Sequence, residues 1–224
     1  MELKYEIKYS KRKTVNISVE RDRSIIVRAP EGVSEEKIDF LVKSKKNWIL
    51  DKVNHEQKYP LNLQPKEFVS GETITYLGRN YQLLVVDNEI DGVEFSQRFL
   101  ISRSNQKDAY SLLKAWYIER AKIKIKPKVK SYAQHLGVSY KDIKISDMKY
   151  RWGSCTPNNN VIFNWRLMKA PMYVLDYIIV HELVHLIEPN HTPEFWNIVS
   201  IQVPTYIKAK EWLKQNGYML EVDF

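Results

Sequence analysis

The sequence predicts an α+β protein: a β-rich N-terminal half with one helix, then a helix–strand–strand–helix–helix domain. Three observations predict it. Short apolar runs with period-two alternation, bounded by turn residues, fill residues 3–101, with a single helical interval near 35–53. A long stretch with apolar residues at helical spacing runs from Gln106 to Leu136. Beyond it, two strand patterns precede segments that carry helix start signals. We place a β-rich subdomain over residues 1–104 and a second domain over 105–224.

The elements follow in order. Residues 3–9 and 14–28 alternate as strands, with Val15, Ile17 and Val19 among polar neighbours and Ile25-Ile26-Val27 after a polar turn. Ala29-Pro30-Glu31-Gly32 ends that pattern. Ser34 suits an N-cap and Glu35 and Glu36 suit a first turn, so a helix over Glu35–Val53 should bury Ile38, Leu41, Val42, Trp48 and Ile49. Residues 54–66 are polar and Pro-bearing, a loop. Glu72–Tyr76, Tyr81–Val86 and Val93–Ile101 read as strands. The long helix carries Ala121, Ile125, Val129, Tyr132 and Leu136 on one face and stops at Gly137. Pro127 inside it should kink or split it. Strands are expected over Lys141–Met148 and Asn160–Met168. Pro171 and Thr192-Pro193 open two helices, and a last one over Thr205–Gln215 should stop at Asn216-Gly217.

Composition narrows the class. The chain has 224 residues, 44% apolar and 28% charged, which suits one large or two small domains. With 7 Gly, 9 Pro and 12% aromatics it is neither disordered nor collagen-like. No apolar run is long enough to span a membrane, and the opening MELKYEIKYSKRK lacks the apolar core of a signal peptide. A cytoplasmic location is expected, in keeping with a single cysteine, Cys155, which has no internal disulfide partner. The net charge is +8, and all of that excess lies in residues 1–136, with 26 basic against 18 acidic side chains. Arg120–Lys130 is the densest run, six basic residues in eleven. A solvated Lys-rich surface and a polyanion partner both fit this charge. A nucleic-acid-associated module is therefore the alternative from another class, although no nucleic-acid-binding motif supports it.

The chemistry concentrates in His181-Glu182-Leu183-Val184-His185, an H-E-x-x-H set on an amphipathic helical pattern. Residues four apart sit one turn along the same face, about 6 Å in rise, so both imidazoles can reach one metal ion. Glu182 is offset from both and can act as general base on a metal-held water, whose pKa zinc lowers to about 7. His191 follows a helix break at Glu188-Pro189-Asn190 and can return from another direction as third ligand. Three protein ligands with one open position is the catalytic zinc pattern.

Arg151-Trp-Gly-Ser-Cys155, Asn164-Trp-Arg-Leu167, Ala170-Pro171 and HELVHLIEPNHTPEFW (181–196), with residues 14–49 and Tyr76–Tyr81, resemble the YgjP-like metal-dependent hydrolases, a zincin-like group related to the SprT and WLM proteases. The resemblance implies a zincin-like catalytic domain with His181, His185 and His191 on zinc and Glu182 as base. It implies two activities: peptide hydrolysis, and nucleoside triphosphate pyrophosphatase action on UTP, assigned to the YgjP type. Glu188 stands where the metzincin pattern has glycine, which counts against that kinship.

Around the metal, Asn160–Met168 is the candidate rim strand, with Asn164 and Arg166 on one face. Those two side chains either stabilise an oxyanion or grip phosphate, or else form a plain wet face. Arg151, on a loop beside the cleft, is the better anion-binding candidate. Glu194 either hydrogen-bonds a ligand imidazole or caps the turn at Thr192. Cys155 lacks a paired base and is not expected to be a nucleophile. Tyr173 and Tyr177 read as core. With Lys169, these cations favour a nucleoside triphosphate, with Mg²⁺ accompanying it; a peptide is the alternative substrate.

Overall fold

The computed structural model describes residues 3–20, 23–54, 66–148, 151–221 and 224, and the expected loop at 54–66 falls mostly outside them. The chain divides into two compact units, residues 1–64 and 65–224.

The first unit is a three-stranded sheet with two helices. β1 (Glu6–Ser10), β2 (Asn16–Val19) and β3 (Ile25–Pro30) lie in the order β1–β3–β2, with β3 parallel to β1 and antiparallel to β2. The apolar run of β3 becomes the centre because a strand paired on both sides buries most. Ser34 caps α1 (Glu35–Ser44), its hydroxyl accepting the Lys37 N–H. The single expected helix is two, since α2 (Lys46–Val53) starts after a break at Lys45. Lys43 to Asn47 offer no apolar side chain to hold a continuous helix on the sheet. Ile38, Val42 and Ile49 bury against Ile25, Val27 and Ala29, whereas Trp48 stays 42% exposed.

The second unit opens with β4 (Thr73–Tyr76), β5 (Arg79–Val86), β6 (Glu94–Phe95) and β7 (Phe99–Ser102), ordered β4–β5–β7–β6. The Val93–Ile101 strand is thus a small hairpin, Glu94 opposite Leu100, turning through Gln97 at positive φ. These strands share a core with α3 (Ala109–Leu136), where Tyr76, Phe95 and Phe99 pack edge-on against Trp116, and Phe99 stacks on Tyr117. That shared aromatic core moves the expected boundary at 104/105 back to 64/65. α3 continues through Pro127, whose exposed position leaves the freed carbonyl four residues earlier, at Ile123, open to water. Leu113, Tyr117, Ala121, Ile125, Val129 and Ala133 bury at four-residue spacing, and Gly137 ends the helix at φ 67°.

β8 (Asp142–Ser146), β9 (Gly153–Cys155) and β10 (Asn160–Asn164) form a sheet ordered β8–β10–β9, β10 running parallel to β8 and antiparallel to β9. β10 is therefore central, and β9 is an edge. β10 stops at Asn164, four residues short of the expectation. The Asn164 side chain accepts the Arg166 N–H and caps a 3-10 turn over Trp165–Lys169, in which all five residues bury.

α4 (Met172–Val184) follows, capped at Pro171, then α5 (Pro193–Gln202) and α6 (Tyr206–Glu221). α4 is buried on nearly every side. Its start is fixed by the β4–β5 hairpin, whose tip takes φ of 50° at Leu77 and 75° at Gly78. Both tip N–H groups donate into the 3-10 turn, to Met168 at 2.7 Å and Lys169 at 2.9 Å. A Cβ at Gly78 would lie 2.6 Å from the Pro171 ring. α6 runs through Asn216-Gly217, where a stop was expected. The Asn216 amide donates to the Trp212 carbonyl, and the bare Gly217 faces the Trp152 ring.

Candidate metal centre

α4 ends where its chemistry begins. His181 and Glu182 occupy its last turn, and His185 is the residue that caps it. The chain then tightens, Leu186 and Ile187 N–H groups bonding to Leu183 and Val184, and Glu188 accepts the Asn190 N–H. Thr192 restarts a helix by accepting the Phe195 N–H, with Pro193 in its first turn. His191, just before that cap, is thereby turned back onto α4.

The three imidazoles converge. Their ring centroids are 4.8–4.9 Å apart, and one nitrogen from each lies within 4.8 Å of the others. His181 Nε2 stands 3.1 Å from His191 Nε2. Two nitrogens on a tetrahedral zinc are about 3.4 Å apart, given bonds of about 2.0–2.1 Å, so the His181–His191 pair stands close to that spacing. His181 Nδ1 faces the Tyr177 hydroxyl at 3.5 Å, and His185 Nδ1 faces the Glu188 carbonyl at 3.3 Å. These partners on the far nitrogen fix which nitrogen points inward. The Phe195 ring backs all three imidazoles at 4.7–4.9 Å. Burial and the neighbouring imidazoles hold His181 down to about 3, and burial also lowers His185. Both rings are therefore neutral near pH 7, with lone pairs available.

Glu182 is 6% exposed, and burial pushes its carboxyl up to about 7. A hydrogen bond from the Cys155 backbone N–H and the charge of Arg151 work the other way. β9 lies directly against it. A Cβ on Gly153 would sit 2.5 Å from the Glu182 Cγ, so only glycine lets the strand approach the carboxylate this closely. On either side of β9, Trp152 and Thr156 direct their backbone groups to β10, accepting from Asn164 and donating to Asn160. By alternation Gly153 and Cys155 direct theirs away from it, toward the cleft. That cleft, about 720 Å³, has Arg151, β9 and Asn159 on one side and Glu182 with the three histidines on the other.

Four sequence-stated candidates thus meet in one place with the base, and others do not. Arg151 lines the cleft. Asn164 is 1% exposed and donates its amide to the Met148 and Arg151 carbonyls. Arg166 is 9% exposed, paired with Asp147 and stacked on Trp165. Lys169 is buried over the Phe224 ring. None of these three lines the cleft, because the turn at 165–169 replaces the expected strand. Glu194 is exposed in the first turn of α5, and the imidazole nitrogens meet Tyr177, Glu188 and each other instead. The Cys155 thiol lines the cleft, raised by burial and then by Glu182, so it stays protonated at neutral pH. Sequence reasoning missed Gly153, whose only signal was its place in the Arg151–Cys155 motif.

A family model described as "YgjP-like, metallopeptidase domain" matches residues 13–216. The chain belongs to that YgjP-like family. As a member it is a metal-dependent hydrolase, and its three clustered histidines could hold a metal ion. No curated protein matches it. Among solved structures, the metallopeptidase zymogen of Pyrococcus abyssi abylysin is similar at 21% identity over 39% of this chain and 86% of that one. The TM-score is 0.35, too low to bear on the fold. The expected UTP-type substrate and its Mg²⁺ find no support: among the described residues Arg151 is the cleft's one Lys or Arg, where a triphosphate needs several cations. No helix among the described residues is long and apolar enough to cross a membrane.

Proposed function

We propose that this YgjP-like protein is a zinc metallopeptidase, with His181, His185 and His191 as ligands and Glu182 as general base. The observation that carries it is the position of Glu182, beside the histidine cluster and hydrogen-bonded to the edge strand of the cleft. An extended peptide needs an unpaired strand edge to lie along, and the Gly153 backbone and the Cys155 carbonyl offer one, while the Cys155 N–H is taken by Glu182. This role falls to β9, because β10 is paired on both sides.

A bound zinc would supply Lewis acidity, polarising the scissile carbonyl and lowering the pKa of a coordinated water to about 7. Glu182 accepts the proton of the attacking water and returns it to the leaving amine nitrogen. The Cys155 N–H keeps one side of that carboxylate in place. The Phe195 ring and the buried flank of α4 keep the imidazoles in one arrangement.

Glu182→Gln tests the assignment, since glutamine keeps the shape and loses the base. Zinc content should stay near one equivalent while peptide cleavage, followed by mass spectrometry of an unfolded protein digest, falls by at least about 100-fold. Undiminished cleavage by the variant would remove Glu182 from the reaction.

A further inference from the structure

Arg151 touches the hydrolytic centre only through its charge on Glu182 and has no ligand or base role there. It is exposed at the cleft rim, and its guanidinium makes no ion pair or hydrogen bond among the described residues. Its backbone, by contrast, is held: the buried Asn164 amide donates to the Arg151 carbonyl at 2.9 Å and to that of Met148 at 2.7 Å. A long cation is thus presented from a fixed base at the start of the edge strand. Around it the cleft offers neutral groups, Ser154, Cys155, Thr156 and Asn159, and the apolar Leu186 and Pro189. The remaining charged residue, Glu182, is buried where Arg151 is exposed.

We propose that Arg151 makes the cleft select peptides that present a carboxylate beside the scissile bond. Guanidinium binds carboxylate bidentately, with a directional preference that a neutral amide cannot satisfy. The proposal rests on the metallopeptidase reading and deepens it by naming a substrate class. The carboxylate has two sources, an Asp or Glu side chain or the C-terminus of the chain.

The test uses one peptide frame with Glu, Gln or Lys next to the scissile bond, each made with a free and an amidated C-terminus. Binding is measured by fluorescence anisotropy to zinc-loaded Glu182→Gln protein, and cleavage is measured with the wild type. The Glu peptide should bind, and be cleaved, about tenfold better than its Gln and Lys counterparts. Adding Arg151→Gln should level Glu with Gln, and Arg151→Glu should favour Lys. Unchanged zinc content and melting temperature would show the variants folded. A preference that follows the free C-terminus instead of the side chain, and vanishes with Arg151→Gln, supports the terminal source. Equal binding of all peptides, or a Glu preference that survives Arg151→Gln, overturns the proposal. An Arg151-dependent binding preference with no cleavage by the wild type keeps the selection and overturns the peptidase reading instead.

Discussion

Gly153 is where one atom decides the chemistry. A methyl there would press on the Glu182 Cγ and carboxylate, at 2.5 and 2.6 Å. The buried helix behind Glu182 cannot recede, because interiors pack at crystal-like density. Gly153→Ala should therefore displace the carboxylate or the strand, lowering turnover by about 100-fold at unchanged zinc content. It should also destabilise the fold by about 1–3 kcal/mol. Normal turnover in steady-state peptide assays would show that the contact relaxes at no cost. The histidines differ among themselves. Each should be required for tight zinc binding, but His191 is exposed, so His191→Ala should lose the metal with little loss of stability in denaturant titration. His181 is packed against Tyr177 and Phe195, so its replacement should cost both.

At the scale of elements, an ionic cluster ties α3 to the strands of the site's sheet. Asp147, just past β8, pairs with Lys114 of α3 at 2.6 Å and with Arg166 of the turn after β10. Burial pushes the Asp147 carboxyl up, but hydrogen bonds and charge from Lys114 and Arg166 outweigh it and hold it at about 2. Its unfolded value is about 3.9. A depressed carboxyl contributes stability that is present above about pH 4 and lost as pH falls through about 2. Asp147→Asn should lower stability at neutral pH and flatten the pH dependence between about 4 and 2, as followed by acid-titrated denaturation curves. The size should be modest, because both Lys114 and Asp147 are partly solvated.

The elements also show what the sequence carries. α3 was legible because Ala121, Ile125 and Val129 repeat at helical spacing over a long stretch, and its end because Gly137 has no steric penalty at positive φ. The convergence of His181, His185 and His191 was legible because their spacing and the break before His191 are local. The end of β10 was not. Apolar residues on both sides of Asn164 mimic a longer strand, and only the side-chain cap on Arg166 turns the chain away. Asn164 and Arg166 thereby left the cleft for structural roles. Nor could β9 be found, because three residues carry no periodicity and its importance lies in what packs on Gly153.

For the whole molecule, each of the two units has its own buried core, one around Ile25, Val27 and Ile38, the other running from Ile74 to Leu220. The sequence drew the boundary too late because β4–β7 look like the strands before them, and only their burial against Trp116 and Tyr117 assigns them to the later unit. The three clustered histidines all belong to residues 65–224. Zinc at about 1,000 times its Kd should stabilise that unit by about 4 kcal/mol, raising its melting transition in calorimetry. The same titration on His185→Ala should leave the transition where it is.

The most direct measurement of the central claim sets the two substrate classes side by side. Zinc-loaded protein and its Glu182→Gln variant are incubated with an unfolded protein digest, read by mass spectrometry for new termini. In parallel they receive UTP with Mg²⁺, read by phosphorus NMR for pyrophosphate. The metallopeptidase account predicts new peptide termini with the wild type alone and no pyrophosphate from either. Pyrophosphate released by the wild type but not by the variant, with the peptides intact, would contradict it.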